Sequence, residues 1–214
     1  MAEESPIRVS ISDGTQVSGE DAATLETINS ELRDFETSVQ RLDLRDCPQS
    51  VKPLLAKSEL EAHEARILMD HLLLSREELL KVINASGRQP NVEGGGQLKV
   101  FDETHDYYYP NLWAVQPGTD YGRFDRMHIN SDDKGVGVDE VIQLLFGGPM
   151  IVRHRSSDGR EMQLTLSCAD ASSGWLLSYN GGAPHVGSFR SATIGTKALV
   201  QVIGPPSFKM RYVE

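Results

Sequence analysis

The chain has 214 residues, enough for one medium domain or a small domain leaning on a larger one, and its 39% hydrophobic and 24% charged side chains are ordinary for a polypeptide that buries a core. Residues 1–100 carry 11 basic and 18 acidic side chains and residues 101–214 carry 10 and 13, so a net charge of -10 leaves neither half with the basic field that nucleic-acid or anionic-membrane binding relies on. No run of 18 apolar residues exists to span a bilayer, and MAEESPIRVS has acids where a secretory signal has a basic region and an apolar stretch, so a cytoplasmic protein is expected.

Residues 1–17 read as irregular or weakly strand-like. Ser18 with Asp21 then resembles a helix start. Leu25, Ile28, Leu32, Phe35, Val39 and Leu42 follow at steps of three and four, which predicts one helix over about 20–45 with a single apolar stripe facing a core or a partner. Cys47 and Cys168 lie far apart, outside any CxxC, and read as reduced thiols. Beyond Pro48 and Pro53, Ser58 with Glu61 forms a capping box that opens a helix over 58–73. Ser75 with Glu78 forms another, opening a helix over 76–86 that Gly87 can close. The pair looks like a helix-turn-helix, but Glu77 and Glu78 open its second member and only Arg76, Lys81 and Arg88 balance them, so packing is expected rather than DNA binding.

The pattern changes at Gln89–Gly96, where Gly94-Gly95-Gly96 reads as a linker. This divides the chain into a helical segment, 1–96, and a β segment, 97–214. From Gln97 onward about nine short strands recur with turn signals between them, which predicts a mainly β fold, an antiparallel sandwich or barrel. Gly147-Gly148 and Ser157-Asp158-Gly159 each read as a tight hairpin.

One strand in this half carries an acid among apolar residues. In Asp139-Glu140-Val141-Ile142-Gln143-Leu144-Leu145-Phe146, alternation places Glu140 on the face of Ile142, Leu144 and Phe146. A carboxylate there needs a metal, an arginine or several donors, unless it sits at the barrel mouth in water. Asn180-Gly181-Gly182-Ala183-Pro184-His185 delivers an imidazole at the start of a strand. His128 is a third ligand candidate, 12 residues before Glu140 across the loop SDDKGVGV. Two imidazoles and one carboxylate with open positions suit a mononuclear Fe(II) centre, because O₂ and substrate need vacant coordination. Tyr107, Tyr108, Tyr109 and Trp113 either line a pocket with phenols for an anionic ligand or divide between core and surface. Arg153, His154 and Arg155 make a small basic spot, able to hold a carboxylate or phosphonate if one points inward and otherwise a solvated face; alternation puts Arg153 and Arg155 together and His154 opposite. No GxSxG or other nucleophile motif is present.

Glu140, with six residues between it and Gly147, resembles the end of the first cupin motif, E-x6-G, and GGAPH at 181–185 resembles the second in relaxed form. Within cupins the chain resembles the hydroxypropylphosphonate epoxidase and hydroxyethylphosphonate dioxygenase group, loosely over residues 60–205. Those proteins also place a small helical domain ahead of the barrel, and Asp106–Asn111 is similar to their strand whose tyrosines hold the phosphonate. The resemblance implies a cupin-type barrel (a double-stranded β-helix), an Fe(II)-dependent dioxygenase or oxidoreductase, a small anionic substrate and a homodimer. His128, Glu140 and His185 are the implied metal ligands, and Glu140, Tyr107 and Tyr108 the implied catalytic residues. Where the epoxidase has a ligand histidine four residues before the motif's Glu, this chain has Val136, and the cupin H-x-H is replaced by His128 followed by Asn130. Two alternatives therefore stand beside the iron enzyme: a metal-free barrel using Glu140 as acid or base, and a ligand-sensing module that dimerises through its helices.

Overall fold

The computed structural model of the chain describes residues 5–99, 111–118 and 125–213. Its described strands form two antiparallel sheets that face each other. The first sheet contains β1 (Ile7–Ile11), β2 (Gln16–Ser18), β6 (His128–Ser131), β8 (Met150–Arg155), β9 (Glu161–Leu166), β11 (His185–Ser188) and β13 (Lys209–Tyr212). They lie in the order β13-β6-β11-β8-β9-β1-β2. The second contains β3 (Thr37–Asp43), β4 (Gln97–Lys99), β5 (Leu112–Ala114), β7 (Asp139–Phe146), β10 (Ser173–Asn180) and β12 (Lys197–Gly204). Its order is β3-β10-β7-β12-β4, with β5 also paired to β12.

Alternation along each strand builds the core between the sheets. Val152, Met162 and Leu164 from one sheet meet Ile142, Leu144, Trp175, Leu177 and Val200 from the other, all at or near zero exposure. The opposite face of the second sheet is covered by helices α2 (Lys52–Leu55), α3 (Ala62–Leu72) and α4 (Arg76–Ala85). Leu145 and Leu199 pack under α2 and α3, and Val141 and Ile203 pack under α4. Both faces of β7 and β12 are therefore buried, and their polar residues find partners among the helices. Gln201 accepts from the backbone N–H of Leu74 and donates to its carbonyl, both at 2.8 Å, and Gln143 donates to Leu72 O at 2.8 Å. The α3–α4 connection is thereby fastened to the sheet by its own backbone groups.

The sequence expectations for the first 96 residues are corrected in part. The helix expected over 20–45 is α1 (Ala22–Leu32), capped by the Asp21 side chain, followed by a short 3-10 turn and then strand β3. The break falls at Glu36, whose φ of 50° turns the chain out of the helix. Val39 belongs to the same core as Ile28, Leu32 and Phe35, but it reaches that core from a strand. Strands β1, β2 and β3 all pair within the two sheets, so the part before Gln97 is not helical throughout. The helix expected at 58–73 begins at Ala62, where Glu61 and Glu64 make the capping box; the Ser75–Glu78 box opens α4 as expected. Ile28 and Leu32 of α1, Ala65, Leu68 and Met69 of α3, and Leu79 and Ile83 of α4 are buried within the chain.

Ser157-Asp158-Gly159 does turn β8 into β9. Gly147-Gly148 does not make a hairpin, because β7 pairs with β10 and β12 while β8 pairs with β9 and β11. It carries the chain from one sheet to the other, and a Cβ on Gly147 would lie 2.5 Å from Thr196 Oγ1. No helix among the described residues is long and apolar enough to cross a membrane.

Candidate functional site

Three histidines stand abreast on neighbouring strands of the first sheet. His185 on β11 is paired in register with His128 on β6 and with His154 on β8. All three are buried and face the space between the sheets. The His185 ring lies 4.4 Å from His128 and 5.8 Å from His154, centroid to centroid. Opposite them, on the second sheet, Glu140 of β7 is paired in register with Tyr179 of β10.

Three backbone hydrogen bonds bring these segments together. Asn130 N donates to Gly181 O at 2.7 Å, Gly181 N to Val138 O at 2.8 Å, and Val138 N to Asn130 O at 3.1 Å. The triangle links the strand of His128, the start of the strand of Glu140 and the turn before His185. Gly181 at its corner leaves room for the carboxylate, since a Cβ there would lie 2.6 Å from Glu140 Oε1. On the outer face of β7, next to Glu140 in sequence, Asp139 is held by Arg88 (Nη1–Oδ1 2.7 Å) and by Asn91 N at 2.7 Å, which pins the segment after α4 to the strand that carries the site.

Glu140 is buried yet supplied with donors. Asn130 Nδ2 donates to Oε1 at 2.7 Å and Tyr179 O–H donates to Oε2 at 2.8 Å. His185 Nε2 lies 3.3 Å from Oε1, within ion-pair distance but not aligned as a hydrogen bond. Burial pushes the carboxyl up, and the His185 charge with the Asn130 and Tyr179 hydrogen bonds outweighs it, holding Glu140 at about 2. His185 is shifted upward by Glu140 against the burial that opposes its charge. Burial and the neighbouring His185 push His128 down and His154 well down, so those two are neutral. Burial and Glu140 push the Tyr179 phenol far up, which keeps its proton in place to donate.

The tautomers of two imidazoles follow from their backbone contacts. His128 Nδ1 lies 2.8 Å from Arg126 O, and His185 Nδ1 lies 2.9 Å from Ala183 O. A carbonyl only accepts, so each Nδ1 carries a proton; the neutral His128 ring turns an Nε2 lone pair toward the interior, and His185 offers one there once its Nε2 proton is lost. His185 Nε2, both nitrogens of His154 and Asn130 Oδ1 have no hydrogen-bond partner. Unpaired buried groups of this kind cost stability unless a water, an ion or a ligand meets them.

Among the described residues no group of three or more His, Cys, Asp or Glu side chains is already arranged to hold a metal ion. Chemistry and one distance nonetheless fit a divalent cation. Neutral imidazoles oriented by Nδ1–H···O=C bonds, beside a carboxylate itself hydrogen-bonded, are the surroundings that ligands of such an ion have. Two ligands about 2.0–2.2 Å from one ion and about 90–110° apart are separated by about 2.8–3.6 Å. The His185–Glu140 contact has that separation, 3.3 Å.

The sequence expectations divide clearly. His128, Glu140 and His185 share one site, and Glu140 is not at a wet barrel mouth. Val136 lies in the turn between β6 and β7, its N–H bonded to the Asp132 side chain, away from the histidine row. Tyr107, Tyr108 and Tyr109 lie outside the described residues. Arg153 is exposed and points away from the site, while Arg155 pairs with Glu161. His154 enters the sequence reading only as a member of a basic spot, not as a ligand, and Tyr179 does not enter it. Alternation could have found them: His154 shares a face with Val152 and Met150, and Tyr179 with Leu177 and Trp175. A polar group among such neighbours requires a partner.

No family model matches the chain, and no curated protein matches it in sequence. Its structure is similar to acireductone dioxygenase from Bacillus anthracis, solved with a cadmium ion in its active centre. The TM-score is 0.58 and the identity 14%, with 99% of this chain and 100% of that chain covered. At that identity the likeness establishes the fold alone, two facing antiparallel sheets.

Proposed function

We propose that the chain is a metal-dependent small-molecule enzyme of the cupin type, with Glu140, His185 and His128 holding a divalent ion and His154 available as a further ligand. The observation that carries this reading is the row of three imidazoles facing one buried carboxylate, with Nε2 of His128 and His185 turned inward by backbone carbonyls. Fe(II) suits this mixture of imidazole and carboxylate donors, and when bound it would supply O₂ activation and polarisation of a substrate oxygen. Tyr179 and Asn130 hold the Glu140 carboxylate in place, the Arg126 and Ala183 carbonyls orient the imidazoles, and the apolar wall between the sheets excludes water from the reacting groups. The substrate in this reading is a small anionic molecule, carboxylate- or phosphonate-like, and Tyr107 and Tyr108 are proposed to help position it. A homodimer would be built on surfaces other than the apolar faces of α1, α3 and α4, which are used within the chain.

A second reading is favoured by one observation. Glu140 already has two hydrogen bonds and the His185 contact without any ion, so Tyr179, Glu140 and His185 also form a relay able to take and return a proton in a metal-free barrel. Anaerobic Fe(II) titration of the wild type and of His128→Ala, His185→Ala and His154→Ala separates the two. The metal reading expects stoichiometric binding by the wild type and weakening of at least about tenfold in His128→Ala and His185→Ala. Binding that all three changes leave untouched would overturn it.

A further inference from the structure

The histidine row continues to a fourth strand. Tyr212 on β13 is paired in register with His128, and Met210 with Asn130, so both share the face of the sheet that carries the site. Exposure along the row rises from 1% at His154 and His185 to 5% at His128 and 47% at Tyr212, and Met210 is 40% exposed. The row therefore leads from an enclosed end to an open edge, and that edge has an apolar surface.

A guanidinium stands at the same edge. Arg126 Cζ lies 4.1 Å over the centre of the Tyr212 ring, and the Tyr212 ring lies 6.4 Å from the His128 ring in a T-shaped contact. The backbone carbonyl of Arg126 is also the group that orients His128, so the cation and the imidazole are joined by two residues of chain. Stacking on an aromatic ring uses the face of a guanidinium and leaves its in-plane N–H donors open to an oxyanion. No carboxylate among the described residues takes them. Asp125 is paired with Arg190 at 2.5 Å, and Asp133 with Lys209 and Arg211 at 3.1 and 3.3 Å.

We propose that Arg126 and Tyr212 form the subsite for the anionic group of the substrate, a small organic acid whose carboxylate or phosphonate lies on the Arg126 guanidinium and whose apolar body runs along Tyr212 and Met210 toward His128. This rests on the reading that His128 belongs to the reactive centre. It adds the residue that selects an acid over a neutral molecule of the same shape. A planar guanidinium takes two oxygens of either group through parallel hydrogen bonds, which a lysine in its place does not reproduce.

The test is calorimetric titration of the full chain with butyrate, butylphosphonate and neutral butyramide, with Co(II) affinity measured separately by visible absorption. Wild type, Arg126→Gln, Arg126→Lys and Tyr212→Leu are compared, with and without Co(II). The wild type is expected to bind one of the acids at least about tenfold more tightly than butyramide. The better of the two acids identifies the anionic group. Arg126→Gln is expected to remove the preference, Arg126→Lys to restore part of it, and Tyr212→Leu to weaken all three probes while Co(II) affinity stays within twofold. Equal binding of acid and amide by the wild type, absence of binding by all probes, or a preference that survives Arg126→Gln would overturn the proposal. A wild type that fails to bind Co(II) yet shows an Arg126-dependent preference would sink the metal reading and leave the subsite standing.

Discussion

His154 and His185 face each other across adjacent strands with their rings stacked at 25°, and neither nitrogen of His154 has a hydrogen-bond partner. An imidazole so placed weakens the metal-free fold, since an unsatisfied buried polar group costs about 1–3 kcal/mol. His154→Leu stays close to the volume of the imidazole and removes the unpaired nitrogens. The metal-free variant is expected to be more stable than the wild type by about 1–2 kcal/mol in urea unfolding, and to gain less than the wild type from added divalent ion. A loss of stability in the metal-free state would show that His154 is satisfied there after all.

Gly181 leaves room for one oxygen of Glu140. Gly181→Ala would bring a Cβ to 2.6 Å from that oxygen and 2.8 Å from Val138 Cγ2. Because the φ of Gly181 is not in the left-handed region, the backbone accepts alanine and the carboxylate has to move. Divalent-ion affinity should fall by about tenfold or more while the circular dichroism spectrum is kept, as expected when a ligand is displaced from its supporting contacts. Unchanged affinity would place the ion away from Oε1.

Gln201 satisfies both backbone groups of Leu74 from the outer face of β12. Gln201→Leu leaves an N–H and a C=O unpaired beneath the helices and should cost about 2–3 kcal/mol. Amide hydrogen exchange at Leu74 should accelerate more than at residues of β8 or β9, since the change loosens the helical cover first.

Lys197 is fully buried, with Nζ donating to the carbonyls of Leu55 (3.0 Å), Gly195 (2.7 Å) and Lys57. Burial lowers its pKa from 10.5 to about 8. Between those two values the unfolded chain holds a proton that the folded chain has released, so folding stability rises with pH across the window from about 8 to 10.5. Wild type should therefore gain stability relative to Lys197→Met as the pH is raised through that range. Parallel stability curves for the two proteins would show that the three carbonyls hold the proton on Lys197 as firmly as water does.

The sequence made some of this structure legible for local reasons. Alternation alone put Glu140 on an apolar interior face, and the Ser75–Glu78 box and the turn at 157–159 are contacts between residues a few positions apart. The helical stripe ending in Val39 and Leu42 misled because a buried apolar residue serves a strand as well as a helix, and the choice was made by pairing β3 with β10, more than a hundred residues away. Gly147-Gly148 has the composition of a hairpin, and only the partners of β7 and β8 show that it crosses between sheets.

By itself the sequence determined which residues are apolar, where the chain can turn, and that an acid at 140 and histidines at 128 and 185 would need partners. Tertiary structure alone decided that His154 joins them, that Tyr179 donates to Glu140, and that Tyr212 and Arg126 stand at the end of the same row. The reason is register: each of those neighbours is set by which strand lies beside which, and hydrogen bonds between strands distant in the chain leave no periodic trace in either one.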